Sequence, residues 1–160
     1  MVEARSSNDE LNRIWEVLET VPDPEIPVIS VVELGVVRDV ALEDSNVIVT
    51  ITPTYTGCPA MNVFEEDIVS TLQNEGYPQV EIKTTYSPAW TTSWITEEAR
   101  IKLKDYGIAP PLEGSADKNA LFQDGEKPVP CPYCDSEDTK LTSQFGSTAC
   151  KALHYCNGCH

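Results

Sequence analysis

Apolar residues recur along the chain at two different periods, and these predict helices and strands in a definite order. The first predicted helix ends near Val21, before Pro22, and carries apolar residues at helical spacing, namely Leu11, Ile14, Trp15, Leu18 and Val21. Residues 36–43 and 46–52 are rich in β-branched side chains and flank the polar pair Asp44-Ser45. A short polar turn between two such runs predicts a hairpin of antiparallel strands.

A second helix and a third strand follow the predicted hairpin. Pro59 suits the first turn of a helix, because its missing N–H would have no partner there, and Gly76 suits the end of that helix. The apolar residues between them fall mostly on one helical face: Ala60, Met61, Val63, Phe64, Ile68, Val69 and Leu72. Residues 80–86 then alternate as a strand, and residues 96–106 are predicted to be helical.

The length and charge of the chain limit its organisation and its partners. A chain of 160 residues has room for one domain of about 100 residues and a smaller second unit. We expect the main domain at 8–107, a proline-containing linker at 108–130 and a tail at 131–160. The formal net charge is -15. Nucleic acid and anionic membranes both attract clusters of Lys and Arg, which this sequence lacks, so neither is an expected partner.

The expected cellular compartment decides how the six cysteines are interpreted. No apolar run approaches the roughly 18 residues that span a bilayer, and the N-terminal residues lack the apolar core of a signal peptide. We therefore expect a cytoplasmic protein. Six cysteines in that compartment indicate metal or redox chemistry more than a disulfide framework.

The most specific motif is a pair of Cys-x-x-Cys turns in the tail, Cys131 with Cys134 and Cys156 with Cys159. Two such turns complete a tetrahedral sulfur site, which predicts a structural Zn2+ ribbon ahead of a redox dithiol or a single iron. The remaining tail candidates are a spare Cys150 and two weak alternative ligands, His154 and His160. Since only His160 follows Cys159, we expect the ribbon to lack a closing strand, as a truncated tail would.

Cys58 is the candidate for chemistry in the main domain. It follows the second predicted strand and precedes Pro59, at the predicted start of a helix. The positive end of the helix dipole favours the thiolate form of a cysteine in such a place. Cys58 is therefore a candidate nucleophile or soft-metal ligand, although a buried cysteine used as a small apolar residue fits the pattern equally well.

Residues 22–27 place two carboxylates, Asp23 and Glu25, among three prolines. Prolines at this density exclude a regular helix or strand. The residues by themselves favour a solvated loop over a functional one.

Four motifs occur in an order that resembles the SufT-like iron-sulfur assembly domain family. They are Asp-Pro-Glu-Ile-Pro at 23–27, the Glu-Leu-Gly-Val-Val-Arg-Asp-Val run at 33–40, Thr-Pro-Thr-Tyr-Thr-Gly-Cys-Pro-Ala at 52–60 and Ser-Pro-Ala-Trp-Thr-Thr at 87–92. The four-cysteine tail, with Phe-Gly-Ser-Thr-Ala-Cys-Lys-Ala-Leu at 145–153, is similar to the branch of that family that accompanies the bacterial phenylacetyl-CoA epoxidase.

The resemblance implies both a fold and a role. The implied fold is α+β, a two-layer α-β-β-α-β domain followed by the zinc ribbon. The implied role is to assemble or deliver iron or iron-sulfur centres to the oxygenase and reductase subunits of the epoxidase. The implied site comprises Asp23, Glu25, Thr54 and Cys58, with Cys58 holding a transient iron or cluster.

Two alternatives to this accessory role stay open. One is a structural docking subunit of the oxygenase complex, and the other is a thiol-dependent enzyme using Cys58. Because one thiolate cannot hold a cluster alone, the leading hypothesis also implies a homodimer, a docked client or a small thiol.

Overall fold

The computed structural model describes residues 7–55, 57–111, 128–147 and 151–160. Its helices are α1 (Ser7–Leu18), α2 (Met61–Asn74) and α3 (Glu97–Tyr106), and its strands are β1 (Val37–Glu43), β2 (Asn46–Ile51), β3 (Gln79–Thr84), β4 (Thr139–Ser143) and β5 (Leu153–Cys156). A short 3-10 turn occupies Thr92–Trp94. The predicted α-β-β-α-β order and the α+β class are confirmed.

The chain divides into two compact units, one up to Ala99 and one from Arg100 onward. The division falls within α3, and the domain limits expected from the sequence, at 107 and 131, stay predictions. Among the residues that the structure describes, no helix is both long and apolar enough to cross a membrane.

A three-stranded sheet in the order β1-β2-β3 forms the base of the first unit. The predicted hairpin is confirmed: β1 and β2 pair antiparallel, and Asp44 adopts a φ of 56° in the turn between them. A positive φ is uncommon, and aspartate is among the residues that tolerate it. β3 pairs parallel with β2, which requires a crossover connection, and α2 supplies that connection.

The core lies between the sheet and the two helices α1 and α2, which contact each other and the sheet. β2 is the central strand, and its Val47, Val49 and Ile51 are fully buried. The helices contribute a second set of buried side chains: Ile14 and Leu18 from α1, and Phe64, Ile68 and Leu72 from α2. Full burial of each such side chain stabilises the fold by about 1.5–3 kcal/mol relative to exposure.

The first helix is shorter than predicted. α1 ends at Leu18 rather than near Val21, and Val21 instead lies buried in the following loop. Its carbonyl accepts a hydrogen bond from the Val31 N–H at 3.0 Å. Pro22 explains the difference, because a proline disfavours helical conformation at the residue before it.

Both tryptophans of the segment after β3 contact β1 or the loop that precedes it. The Trp90 indole donates a hydrogen bond to the Leu34 carbonyl at 3.0 Å, and the Arg38 guanidinium lies 3.6 Å above the Trp94 ring. Gly35 adopts a φ of 79°, and a Cβ added there would lie 2.7 Å from the Trp94 Cβ. Only glycine fits this close approach without displacing the tryptophan.

The second unit contains most of α3 and an antiparallel β4-β5 hairpin. The Arg100 guanidinium donates to the Pro111 carbonyl at 2.6 Å, and the Lys104 ammonium pairs with Asp135 at 2.5 Å. The Lys104–Asp135 pair is largely exposed, so we expect it to contribute little to stability.

Candidate metal centre and thiol site

The four tail cysteines converge on one point. The sulfur atoms of Cys131, Cys134, Cys156 and Cys159 all lie within 4.8 Å of one another, with 3.7 Å between Cys131 and Cys159 and 3.6 Å between Cys134 and Cys156. A tetrahedral ion with sulfur bonds of about 2.3 Å holds its ligands about 3.8 Å apart. The spacing of these sulfurs therefore fits a single tetrahedral ion.

The two Cys-x-x-Cys turns share one backbone geometry. The Asp135 N–H donates to the Cys131 carbonyl at 2.9 Å, and the His160 N–H donates to the Cys156 carbonyl at 3.1 Å. Asp135 and His160 adopt nearly the same left-handed φ, 58° and 57°. Each turn thus closes on its own first cysteine, which holds the two thiols of the pair on the same side.

Two thiols of the cluster have pKa values that are shifted in opposite directions. The backbone N–H groups of Cys159 and then Gly158 lower the pKa of Cys156 to about 7. Hydrogen bonding with Cys134 and then Cys131 raises the pKa of Cys159 to about 12. Four thiolates this close repel one another, and a divalent cation removes that conflict. The charge requirement and the sulfur spacing therefore both fit a resident metal ion.

Neither histidine of the tail belongs to this sulfur cluster. Among the described residues, the only metal-capable group of three or more His, Cys, Asp or Glu side chains is the cysteine tetrad. The His160 ring nitrogen Nδ1 instead hydrogen-bonds the Tyr155 hydroxyl at 2.6 Å. Cys150, the predicted spare cysteine, lies outside the described residues.

Cys58 lies half-buried in the connection between β2 and α2. Its N–H donates to the Tyr55 carbonyl at 3.3 Å, and its carbonyl accepts from the Met61 N–H at 3.3 Å. α2 begins at Met61 with Ala60 as its N-cap, so the predicted start at Pro59 was wrong by two residues. Cys58 therefore occupies a turn in front of the helix rather than the position directly before its first turn.

Asp23 has a structural role that the sequence did not predict. Only 7% of the residue is exposed, and its Oδ1 accepts hydrogen bonds from the Glu25 and Ile26 N–H groups, both at 2.7 Å. Its own N–H donates to the Ile29 carbonyl at 2.8 Å. The interpretation of a solvated loop is therefore wrong for Asp23. Its buried carboxylate stabilises the loop by accepting hydrogen bonds from two backbone N–H groups of that loop.

The remaining predicted site residues are more accessible, and they do not form a closed metal site. Glu25 and Thr54 are both half-buried, Glu25 in the loop before β1 and Thr54 in the segment after β2. Over the described residues, Cys58 and the two carboxylates do not make a three-ligand group of the kind that the tail cysteines form. A single chain thus presents one thiol here, without a preformed cage.

Thr52 is a residue that sequence reasoning missed. It directly follows β2, is 1% exposed, and donates its N–H to the Val36 carbonyl at 2.8 Å. Its Oγ1 is buried without a hydrogen-bond partner among the residues that the structure describes. Buried polar atoms are nearly always paired, so an orphan hydroxyl in the segment that leads to Cys58 is informative. Its sequence signal was weak: a polar side chain directly after a strand and before Pro53.

Two family descriptions match different parts of the chain. The family described as iron-sulfur cluster assembly protein matches residues 11–83, and the PaaD zinc β-ribbon domain matches residues 115–160. The first match contains the loop of Asp23 and the turn of Cys58, and the second contains all four clustered cysteines.

Curated relatives match the chain over different shares of its length. A candidate 1,2-phenylacetyl-CoA epoxidase subunit from Escherichia coli K12 is 41% identical over 94% of this chain and 88% of its own length. An Fe-S protein maturation auxiliary factor from Porphyromonas gingivalis is 38% identical over 56% of this chain and 87% of that protein.

Among solved structures, a crystal structure of a DUF59 domain from Bacillus anthracis aligns with a TM-score of 0.56 at 29% identity, covering 61% of this chain and 93% of that one. A conserved hypothetical protein from Thermotoga maritima aligns with a TM-score of 0.50 at 30% identity, covering 64% and 98%. The chain therefore belongs to the PaaD family, in which an iron-sulfur assembly domain is joined to a zinc β-ribbon.

Proposed function

We propose that this protein is an accessory factor that assembles or delivers iron or iron-sulfur centres to the multicomponent phenylacetyl-CoA epoxidase. The observation that carries the proposal is the position of Cys58, a partly exposed thiol on the turn before α2 in a domain of the iron-sulfur assembly family. It is the only cysteine of residues 1–107. Thiolates are the usual protein ligands of iron-sulfur clusters, so Cys58 is the residue that would hold the cargo.

The cargo is held transiently because the ligand set is incomplete. One thiolate cannot retain a cluster, and within the described residues Cys58 has no metal-capable partner group in its own chain. The missing ligands come from a second copy, a client subunit or a small thiol. Incomplete ligation suits delivery, since cargo passes readily to a client that offers more ligands. Glu25 and Thr54 are proposed to orient the cargo, and Asp23 to fix the loop that carries Glu25.

The ribbon is proposed to hold one structural Zn2+ through Cys131, Cys134, Cys156 and Cys159. Four protein sulfurs fill a tetrahedral coordination sphere and leave no position for a substrate. This closed site supports a second candidate function, a purely structural docking subunit of the oxygenase complex. A thiol enzyme finds less support, because both histidines of the chain, His154 and His160, lie in the tail rather than near Cys58 in sequence.

The test is anaerobic co-expression with the epoxidase components, followed by metal analysis of wild type, Cys58→Ser and the matched control Cys150→Ser. We expect Cys58→Ser to lose bound iron, to keep one zinc per chain and to lower the iron content of the client. Cys150→Ser should match wild type. Wild-type iron content and client activity in Cys58→Ser, together with client failure on deletion of the ribbon, would establish the docking function instead.

A further inference from the structure

An open groove runs between α2 and β3, and Cys58 is not among its lining residues. It encloses about 400 Å³ and is lined on the strand side by Val80 and Ile82 and on the helix side by Val69. Val80 and Ile82 are half-buried, and they point to the same face of the sheet because side chains alternate along a strand. The groove therefore has an apolar floor formed by two elements.

β3 borders this groove and is an edge strand. It pairs with β2 only, in a sheet whose order among the described residues is β1-β2-β3. The outer edge of such a strand presents backbone N–H and C=O groups that an added strand can bond. A strand placed there would continue the sheet beneath α2, with alternate side chains entering the groove.

The charges around the groove indicate which kind of strand would be complementary to it. Glu65 and Glu66 lie on the helix side, and the described lining residues include no cationic side chain. Lys83 of β3 points to the opposite face and pairs there with Glu81 at 3.8 Å. A second copy of this chain is a poor occupant, because it would bring its own carboxylates close to Glu65 and Glu66. Each chain carries a net charge of -15, so the two copies would repel each other. A basic segment of another protein is complementary instead.

We propose that β3 accepts an extended basic segment of a protein partner as a fourth strand. Side chains of that segment facing α2 alternate between apolar residues, which contact Val69, Val80 and Ile82, and Lys or Arg, which reach Glu65 and Glu66. This interaction surface does not depend on the metal chemistry of Cys58.

The test uses a synthetic peptide of about nine residues, in which Lys and Val occupy alternate odd positions and Thr fills the even ones, so that one face carries both features. Binding is measured by fluorescence anisotropy, and amide hydrogen exchange locates the bound peptide. We expect slowed exchange in β3 and weaker binding at higher salt. The double variant Glu65→Lys with Glu66→Lys should weaken binding about tenfold.

Three controls decide the outcome. Glu16→Lys with Glu19→Lys changes two exposed carboxylates, one in α1 and one directly after it, by the same total charge and should weaken binding less than about threefold. A peptide with Pro at two consecutive central positions should bind poorly, because one of the two then lacks the N–H group that faces β3 in either strand direction. Equal weakening by both double variants, or equal binding of the Pro peptide, would overturn the proposal. A dimer that forms without peptide and protects β3 would overturn it in favour of a second copy.

Discussion

Thr52 and Asp23 are both buried polar residues, but their hydrogen bonding differs. Asp23 accepts two backbone hydrogen bonds at 2.7 Å, whereas the Thr52 hydroxyl has no partner among the described residues. A paired buried polar group stabilises a fold, and an unpaired one costs free energy. The two residues therefore predict opposite effects on stability when their polar groups are removed.

Thr52→Val should raise the free energy of unfolding by about 1 kcal/mol, because it replaces an unpaired buried hydroxyl with a methyl group of similar size. The matched control is Thr50→Val on β2, at a half-buried position, which should change stability by less than about 0.5 kcal/mol. Urea unfolding of the three proteins measures both effects. Destabilisation by Thr52→Val would mean that its hydroxyl has a partner, such as a water molecule.

Asp23→Ala should lower the free energy of unfolding by about 2 kcal/mol or more, since it leaves the Glu25 and Ile26 N–H groups without their shared acceptor. Asp23→Asn keeps one acceptor oxygen and should cost less. Glu25→Gln, at a half-buried position, should cost least of the three. The same urea series ranks the variants. Equal stability of Asp23→Ala and wild type would show that the loop does not need its carboxylate.

At the scale of elements, the sequence predicted the order of helices and strands well and their ends less well. The hairpin was predictable because strand alternation and the polar turn at Asp44 agreed. The end of α1 and the start of α2 were each misplaced beside a proline, Pro22 and Pro59. A proline permits more than one boundary, and loop hydrogen bonds such as that between Val31 and Val21 decide which one forms.

The candidate sites differed in predictability for a physical reason. The sulfur cluster was predictable because each Cys-x-x-Cys turn fixes its two thiols locally, and only the pairing of two turns was left to the fold. The surroundings of Asp23 and Cys58 depend on hydrogen bonds within irregular loops, and Thr52 bonds the more distant Val36. Periodicity does not encode either kind of contact, so the burial of Asp23 and the orphan hydroxyl of Thr52 were not predictable.

The ribbon should bind zinc more tightly as pH rises from about 6 to 8, because bound metal must displace thiol protons. The pKa of Cys156, lowered to about 7 by the backbone N–H groups of Cys159 and Gly158, places its ionisation within this range. Below that pH Cys156 is protonated, and zinc must displace its proton as well. Cys159, with its pKa raised to about 12, keeps its proton over the whole range until metal binds. Competition with a chromophoric chelator of known pH dependence measures the trend, and a flat profile would contradict it.

At the scale of the whole molecule, the net charge bears on association, and the positions of the tryptophans allow the folding of the first unit to be measured separately. The net charge of -15 disfavours self-association and favours basic partners. All three tryptophans, Trp15, Trp90 and Trp94, precede Ala99, so they belong to the first compact unit. Intrinsic tryptophan fluorescence therefore reports the folding of that unit, while metal analysis reports the ribbon.

Zinc removal should unfold the ribbon and leave the first unit folded. The first unit has its own buried core, including Ile14, Val49 and Ile68, whereas the described part of the tail contains a two-stranded hairpin with few buried side chains. A segment that small depends on metal for much of its folding free energy. Cys131→Ser should accordingly abolish zinc binding and leave the urea midpoint of tryptophan fluorescence within error of wild type. Cys58→Ser, the matched control, should keep its zinc. A tryptophan transition that shifts with zinc loss would show that the first unit needs the ribbon to fold.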